Sequence, residues 1–506
     1  MSSKSEVRQV TGQNGNLRWV AAAAASLLIY AFAVWSTGQH LKSQYNPERY
    51  LIAAAASHAI YAAPIGAVYH GLADAFVYKP KNLQQTIEEL RRAPPRREDL
   101  RTMWWAVPDG MGIVMVTAVS LLFDLFGVTL AVFPILAVGL SAVSVACLCL
   151  RFPDSRLLLV PLHFSILTIL LLSPVSRDGG GMDEFSAGSA RYLSLLAILP
   201  ALHLCLEIFD RKVGRPLALG LLAMAIQIIV FALCLNVRGS SAYLLLAAGM
   251  LFVLARWSGL AGARPGAVLA KIGGLAVGLA VVTFAIDVTA PDAYRQDGRV
   301  TANFWHRLII SLGMHPQWPF GDFASRYPLC AHSDGSALGP GVSDQTGNCI
   351  WLQHVRTTGM QEAQDFLGLY GADHERLSRA AFFQVVRDHP DKVLATFAYS
   401  KIIAIPPPLL QVMDVELTAR DARLQQFCLL CLLAIFLWSA WHQTAFRLAH
   451  LVLATFTFLA WSFLPVLFAW PVLNTLADVA YWLWATMLIG IAAAAGFAKD
   501  KFRQGS

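Results

Sequence analysis

The apolar residues of this chain are grouped in long unbroken runs rather than alternating every second or every third to fourth position. The stretches 18–37, 51–72, 108–126, 129–150, 157–174, 192–209, 215–236, 241–256, 272–290, 425–442, 448–470 and 478–497 are rich in Leu, Ala, Val, Ile and Phe. A helix of about 18–20 apolar residues crosses the roughly 30 Å hydrocarbon core of a bilayer. The pattern therefore predicts an all-α polytopic integral membrane protein with about twelve transmembrane helices. Composition agrees, with 56% hydrophobic and only 14% charged residues, against roughly 25% charged in soluble domains. The first run, Leu17 to Trp35, follows a polar stretch with Lys4 and Arg8 and has Arg18 at its start. It is long for the apolar part of a signal peptide and reads as an uncleaved first helix.

The net charge of +7 takes its meaning from this context. Lys and Arg collect in the cytoplasmic loops of membrane proteins and set orientation, so the basic balance points to membrane lipids and not to nucleic acid. Lys79, Lys81, Arg91, Arg92, Arg96, Arg97 and Arg101 fall between the second and third runs, and Arg151 and Arg156 between the fourth and fifth. Arg211, Lys212 and Arg215 follow the sixth, Arg256, Arg264 and Lys271 lie between the eighth and ninth, and Lys499, Lys501 and Arg503 follow the last. One threading puts all of these on the cytoplasmic side, with both termini inside. Run 51–72 is the weak span, because His58, Pro64 and His70 interrupt it. As an amphipathic helix in the interface, it would leave 38–107 as one external loop and make the count odd.

The threading divides the chain into an N-terminal bundle of about nine helices (1–290, with the basic cytoplasmic loop 73–107), an external loop domain (291–424) and about three C-terminal helices (425–506). Six of the eight cysteines sit in apolar runs; Cys330 and Cys349 alone lie in the long loop, 19 residues apart. In an oxidising periplasm this spacing reads as a disulfide. Residues 304–315 place apolar positions at helical spacing and predict an amphipathic helix on the membrane face; 361–403 reads as helical again. The loop also holds His306, His315, His332, His354, His374 and His389. No pair has metal-motif spacing, so no metal or other cofactor is expected.

Four arginines oppose the positive-inside rule. Arg191, Arg238, Arg299 and Arg307 all fall on the outer side, where guanidinium forks suit phosphate. Deep ionisable residues are few: Asp124, Glu207 and Asp287 read as interfacial, and His163 and His203 as packed against neighbouring helices.

The segment Arg238-Gly239-Ser240-Ser241 at a helix start resembles that of bacterial O-antigen ligases and polymerases, as do Arg299 through Trp305 and the Pro319-Phe320-Gly321 turn. The resemblance implies a similar plan of about twelve helices in the inner membrane, with a periplasmic loop between the ninth and tenth. It implies transfer of an undecaprenyl-diphosphate-linked glycan in polysaccharide or lipopolysaccharide assembly, without metal. Arg238 and Arg299 would hold the diphosphate, helped by Arg191, His306 and Arg307, and His374 would be the catalytic loop histidine, although the family's His-Asn pair is here His374-Glu375. A second resemblance competes: Val107-Pro108-Asp109-Gly110-Met111-Gly112 is similar to the acidic segment of GT-C glycosyltransferases. There Asp109 would be the base, and 38–107 would lie outside. The alternative class is a non-enzymatic transporter or scaffold. A cysteine placed at Arg97, in a background without native Cys, separates the two threadings. Protection from a membrane-impermeant thiol reagent added to intact cells is expected for twelve spans; labelling moves the site to Asp109.

Overall fold

A computed structural model describes residues 17–36, 67–69, 104–106, 121–122, 125–126, 132–152, 156–173, 190–210, 217–237, 239–262, 264–289, 304–332, 344–359, 372–414, 422–442, 448–468 and 473–504. Most of the expected spans at 51–72 and 108–126, and the residues Asp109, Arg238 and Arg299, lie outside them; of the first, 67–69 is described and is strand where the run predicts helix. Apart from two three-residue strands, β1 (Ala67–Tyr69) paired antiparallel with β2 (Trp104–Ala106), the described chain is helical.

The chain is a helical multi-pass membrane protein. Among the described residues, seven helices are long and apolar enough to cross a membrane, and four further apolar helices are shorter. In order, the large elements are α1 (Leu17–Ser36), α2 (Val132–Arg151), α3 (Arg156–Leu172), α4 (Ile198–Phe209), α5 (Leu217–Val237), α6 (Tyr243–Trp257) and α7 (Pro265–Thr289). After a second group of helices come α13 (Ala422–His442), α14 (Leu448–Phe468) and α15 (Leu473–Gln504). Every residue of α4 is buried. A helix apolar all round belongs inside a bundle, and α4 sits among α2, α5, α6 and α7. The C-terminal helices pack back on this group: α13 lies against α3, and α14 against α6 and α15. One core therefore joins Tyr30, Phe164 and Phe231 with Phe436, Phe458 and Tyr481.

Two boundaries differ from the hydropathy reading, each for a local reason. Helix α7 begins at Pro265, where proline's fixed φ and missing N–H suit a first turn. Lys271 is thus inside a helix and not in the loop between the eighth and ninth spans. Between Ser258 and Pro265 the chain turns at Gly259, whose φ of +69° is open to glycine at little cost. The Leu260 N–H then donates to the Ala255 carbonyl at 2.8 Å and the Gly262 N–H to Ile208 at 3.1 Å, which closes α6 and seats the turn on the end of α4.

The second difference is α12, Pro390–Met413, one of the seven span-length helices although it falls within the stretch that hydropathy leaves to the loop. Asp391, Lys392, Ser400 and Lys401 dilute its apolar signal. Lys401 is nevertheless fully buried. It donates to the Leu467 carbonyl near the end of α14 at 2.5 Å, where a helix leaves carbonyls without intrahelical partners, and its ammonium lies 4.7 Å from the Phe397 ring. Residues Thr396–Ser400, just before it, form a widened π-turn. Ile405, Leu409 and Val412 of α12 join the first core.

Between α7 and α12 lies a second, smaller core. It is built from α8 (Phe304–Leu312), α9 (Gly321–Arg326), α10 (Asp344–Thr358) and α11 (Ala372–Asp388). Ile309, Leu312, Trp318, Phe320, Phe323, Ile350, Ala381 and Val385 pack around the Cys330–Cys349 disulfide. The expected apolar face of the 304–315 helix is present. It covers α10 and α11 rather than a membrane, with Leu308 to Leu312 buried.

Candidate functional site

Three of the residues singled out in the sequence meet in the second core. His306 and Arg307 lie in the first turn of α8, and His374 and Glu375 in the first turn of α11. The His306 and His374 rings meet edge to face with centroids 5.0 Å apart. His374 Nε2 is 3.2 Å from the Gly347 carbonyl, so this nitrogen carries the proton and donates. Glu375 caps the neighbouring helix, accepting the N–H of Trp305 at 3.0 Å and of His306 at 3.4 Å. A carboxylate there satisfies orphan donors and meets the positive end of the helix dipole. Gly347 is required by closeness: a Cβ there would stand 2.3 Å from the His306 ring.

Burial sets the electrostatics of this cluster. Both imidazoles are almost wholly inaccessible. His374 is held down from 6.5 to about 4, chiefly by burial, with His306 adding to the effect and the bond to Gly347 opposing it. The Glu375 carboxyl is pushed up by burial, against the pull of the two N–H donors and of His306 and Arg307. His374 is therefore neutral at pH 7 and weakly basic, a ring that positions its neighbours. In the same turn of α8, Trp305 and Arg307 are half-buried. Arg379 stacks 5.6 Å from the Trp305 ring and 6.0 Å from that of Phe383.

Comparison with known proteins finds no matching family model, curated protein or solved structure.

Of the other expected site residues, Arg191 lies in the 3-10 stretch Ala190–Ala197 that leads into α4, while Arg238, Arg299 and Asp109 are outside the described residues. Among the described residues, no cluster of His, Cys, Asp and Glu could hold a metal ion.

A second polar cluster went unrecognised in the sequence. Glu207, near the end of α4, accepts from Arg151 of α2 at 2.9 Å and 3.4 Å and from Lys271 of α7. Its Oε1 is also 3.7 Å from His203 Nε2, one turn earlier. The polar contacts continue inward. His203 Nδ1 is 3.5 Å from Gln227 Nε2, which donates to the Ser144 carbonyl at 3.1 Å, and the Ser144 hydroxyl donates to Gln227 Oε1 at 2.6 Å. One carboxylate thus ties three helices, and a column of polar contacts runs from it into the bundle. Glu207 read as interfacial because it stands near a run's end, and Lys271 read as a loop residue; only the early start of α7 brings them together.

Two outcomes follow. Replacing Glu207 by Gln takes the counter-charge from Lys271 and leaves Arg151 the longer contact to Asp210 at 3.9 Å, and breaking such a buried pair costs about 3 kcal/mol; denaturation of the full-length protein by SDS, followed by circular dichroism, should show that loss. His374 gives a pH dependence. Unfolded, it binds a proton below 6.5; folded, only near 4. The stability from its neutral burial is present above pH 6.5 and drains as pH falls toward 4, by about 3 kcal/mol in all. His374→Gln should flatten that slope in fluorescence-monitored melting across the window.

Proposed function

We propose that this chain is a membrane-embedded transferase acting on polyprenyl-linked sugars at the periplasmic face of a bacterial inner membrane, in surface polysaccharide assembly. The observation that supports it is the pairing of His306, beside Arg307 in the first turn of α8, with His374 in the first turn of α11. In this reading Arg307, with Arg191, Arg238 and Arg299, neutralises the diphosphate as charge develops on the leaving group. Arg suits this task because its planar fork stays charged and binds phosphate bidentately. His374 and Glu375 act as positioning residues: one fixes the His306 ring and the other holds the backbone beside it, which sets the direction of Arg307. The proton of the acceptor hydroxyl is taken by a carboxylate or histidine brought to the diphosphate, with Asp109 a candidate in the GT-C-like variant. No cofactor is required.

A scaffold reading draws on one specific observation, the burial of both histidines. Transfer from an undecaprenyl-diphosphate oligosaccharide by the purified full-length protein distinguishes the two. Arg307→Ala, expressed and folded normally, should lose more than about tenfold of activity, a loss of transition-state stabilisation of at least about 1.4 kcal/mol. Unchanged transfer removes Arg307 from the site, and no transfer by the parent protein favours the scaffold.

A further inference from the structure

The face of α11 turned away from the second core carries Arg376, Arg379, Phe383 and Arg387, all exposed. Their spacing of three to four residues lays them along one side of a helix. The buried side carries His374, Glu375, Ser378, Ala381 and Val385. Phe304 of α8 extends the exposed surface: its ring meets Trp305 at 5.0 Å, and Trp305 meets Phe383 at 5.2 Å. Phe304 and Phe383 are each nearly half exposed. The acids on this side stand at the helix ends, where Asp373 pairs with Arg376 at 3.1 Å and Asp388 accepts from Gln384 at 3.4 Å.

The helix that follows is the span-length α12, whose Leu394, Tyr399, Ile402, Ile403 and Leu410 are exposed. Only His389 separates the two. Its backbone leaves the helical region, φ −141° and ψ 56°, and breaks the helix before Pro390, where the residue before a proline is disfavoured in the helical region. Contacts to the second core fix the resulting corner: the His389 ring lies 5.2 Å from Phe320, and the Lys392 ammonium 4.7 Å from the same ring. Phe383 is seven residues before Pro390, about 10 Å along a helix. The polar layer on each side of the hydrocarbon core is about 5–8 Å deep, so a turn of α11 toward the membrane plane at His389 sets the aromatic residues at headgroup level when α12 crosses.

We propose that the Phe304–Phe383–Arg379 face of α11 rests in the headgroup layer of the membrane that α12 spans, its phenylalanines entering the acyl boundary and its arginines binding anionic lipid phosphate. A row of arginines around exposed aromatic rings is the make-up of a helix lying in the interface, and continuity with α12 favours a lipid surface over a soluble ligand. The inference is independent of the transferase reading, since a scaffold would dock in the same way.

The test uses full-length protein with Cys431 replaced by Ser, the other free thiols being buried. A bimane fluorophore is placed at Phe383→Cys or, as a control on the exposed side of α10, at Thr357→Cys, in nanodiscs containing brominated phosphatidylcholine. Strong quenching at 383 and little at 357 is expected. The Arg376→Gln, Arg379→Gln, Arg387→Gln variant should lose about tenfold of the preference for phosphatidylglycerol over phosphatidylcholine. An intact Cys330–Cys349 bond, read by gel mobility, shows that each variant has folded. Aqueous iodide quenching at 383 equal to that at 357, with no bromine quenching, overturns the proposal. So does protection of 383 from iodide by added glycan without bromine quenching, which makes the face a sugar platform.

Discussion

Inside a bilayer there is no water to solvate a charge, so each buried ionic group must find its partner within the protein. The Glu207 carboxylate shows what this demands. It lies on a helix buried on every side, and it is matched by cations reaching in from α2 and α7. Apolar packing does little to choose among helix arrangements in lipid, since the tails are as apolar as leucine. Directional polar contacts therefore select the register. The column from Glu207 through His203 and Gln227 to Ser144 links α2, α4 and α5 at fixed heights. Lys401 does the same for α12, holding it to the end of α14.

The second core is organised differently. Its helices carry arginines and acids on their outer sides and enclose a small aromatic centre with a disulfide at its middle. It has few residues with which to exclude water, and a cross-link is a common supplement in small units of this kind. Its polar interior is also local: a glycine that leaves room for one imidazole, a second imidazole bound to that glycine's carbonyl, and a carboxylate closing a helix start.

The class of the fold was legible in the sequence because hydrophobic runs of span length have few other uses. The Cys330–Cys349 pairing was legible from position alone, all other cysteines falling within apolar runs. What escaped notice depended on contacts between distant residues. Lys271 has the surroundings of a loop residue until α7 is seen to start at Pro265. Helix α12 was hidden because two lysines and an aspartate dilute its apolar positions, and the carbonyl that receives Lys401 comes from a different part of the chain. His374 stood out as a reactive candidate because histidines in polar segments often are; its burial is set by α8 and α10, which no local pattern reveals.

The one-residue break at His389 has a mechanical side. Helix α11, 17 residues long, extends about 25 Å from that corner, and its far end carries the histidine and carboxylate that grip α8. A span adjusts to a thicker or thinner bilayer mainly by tilting. The corner is held by contacts of His389 and Lys392 to Phe320 of the second core, so a tilt of about 10° in α12 carries the far end of α11 through about 4 Å and moves the second core as one piece against the membrane surface.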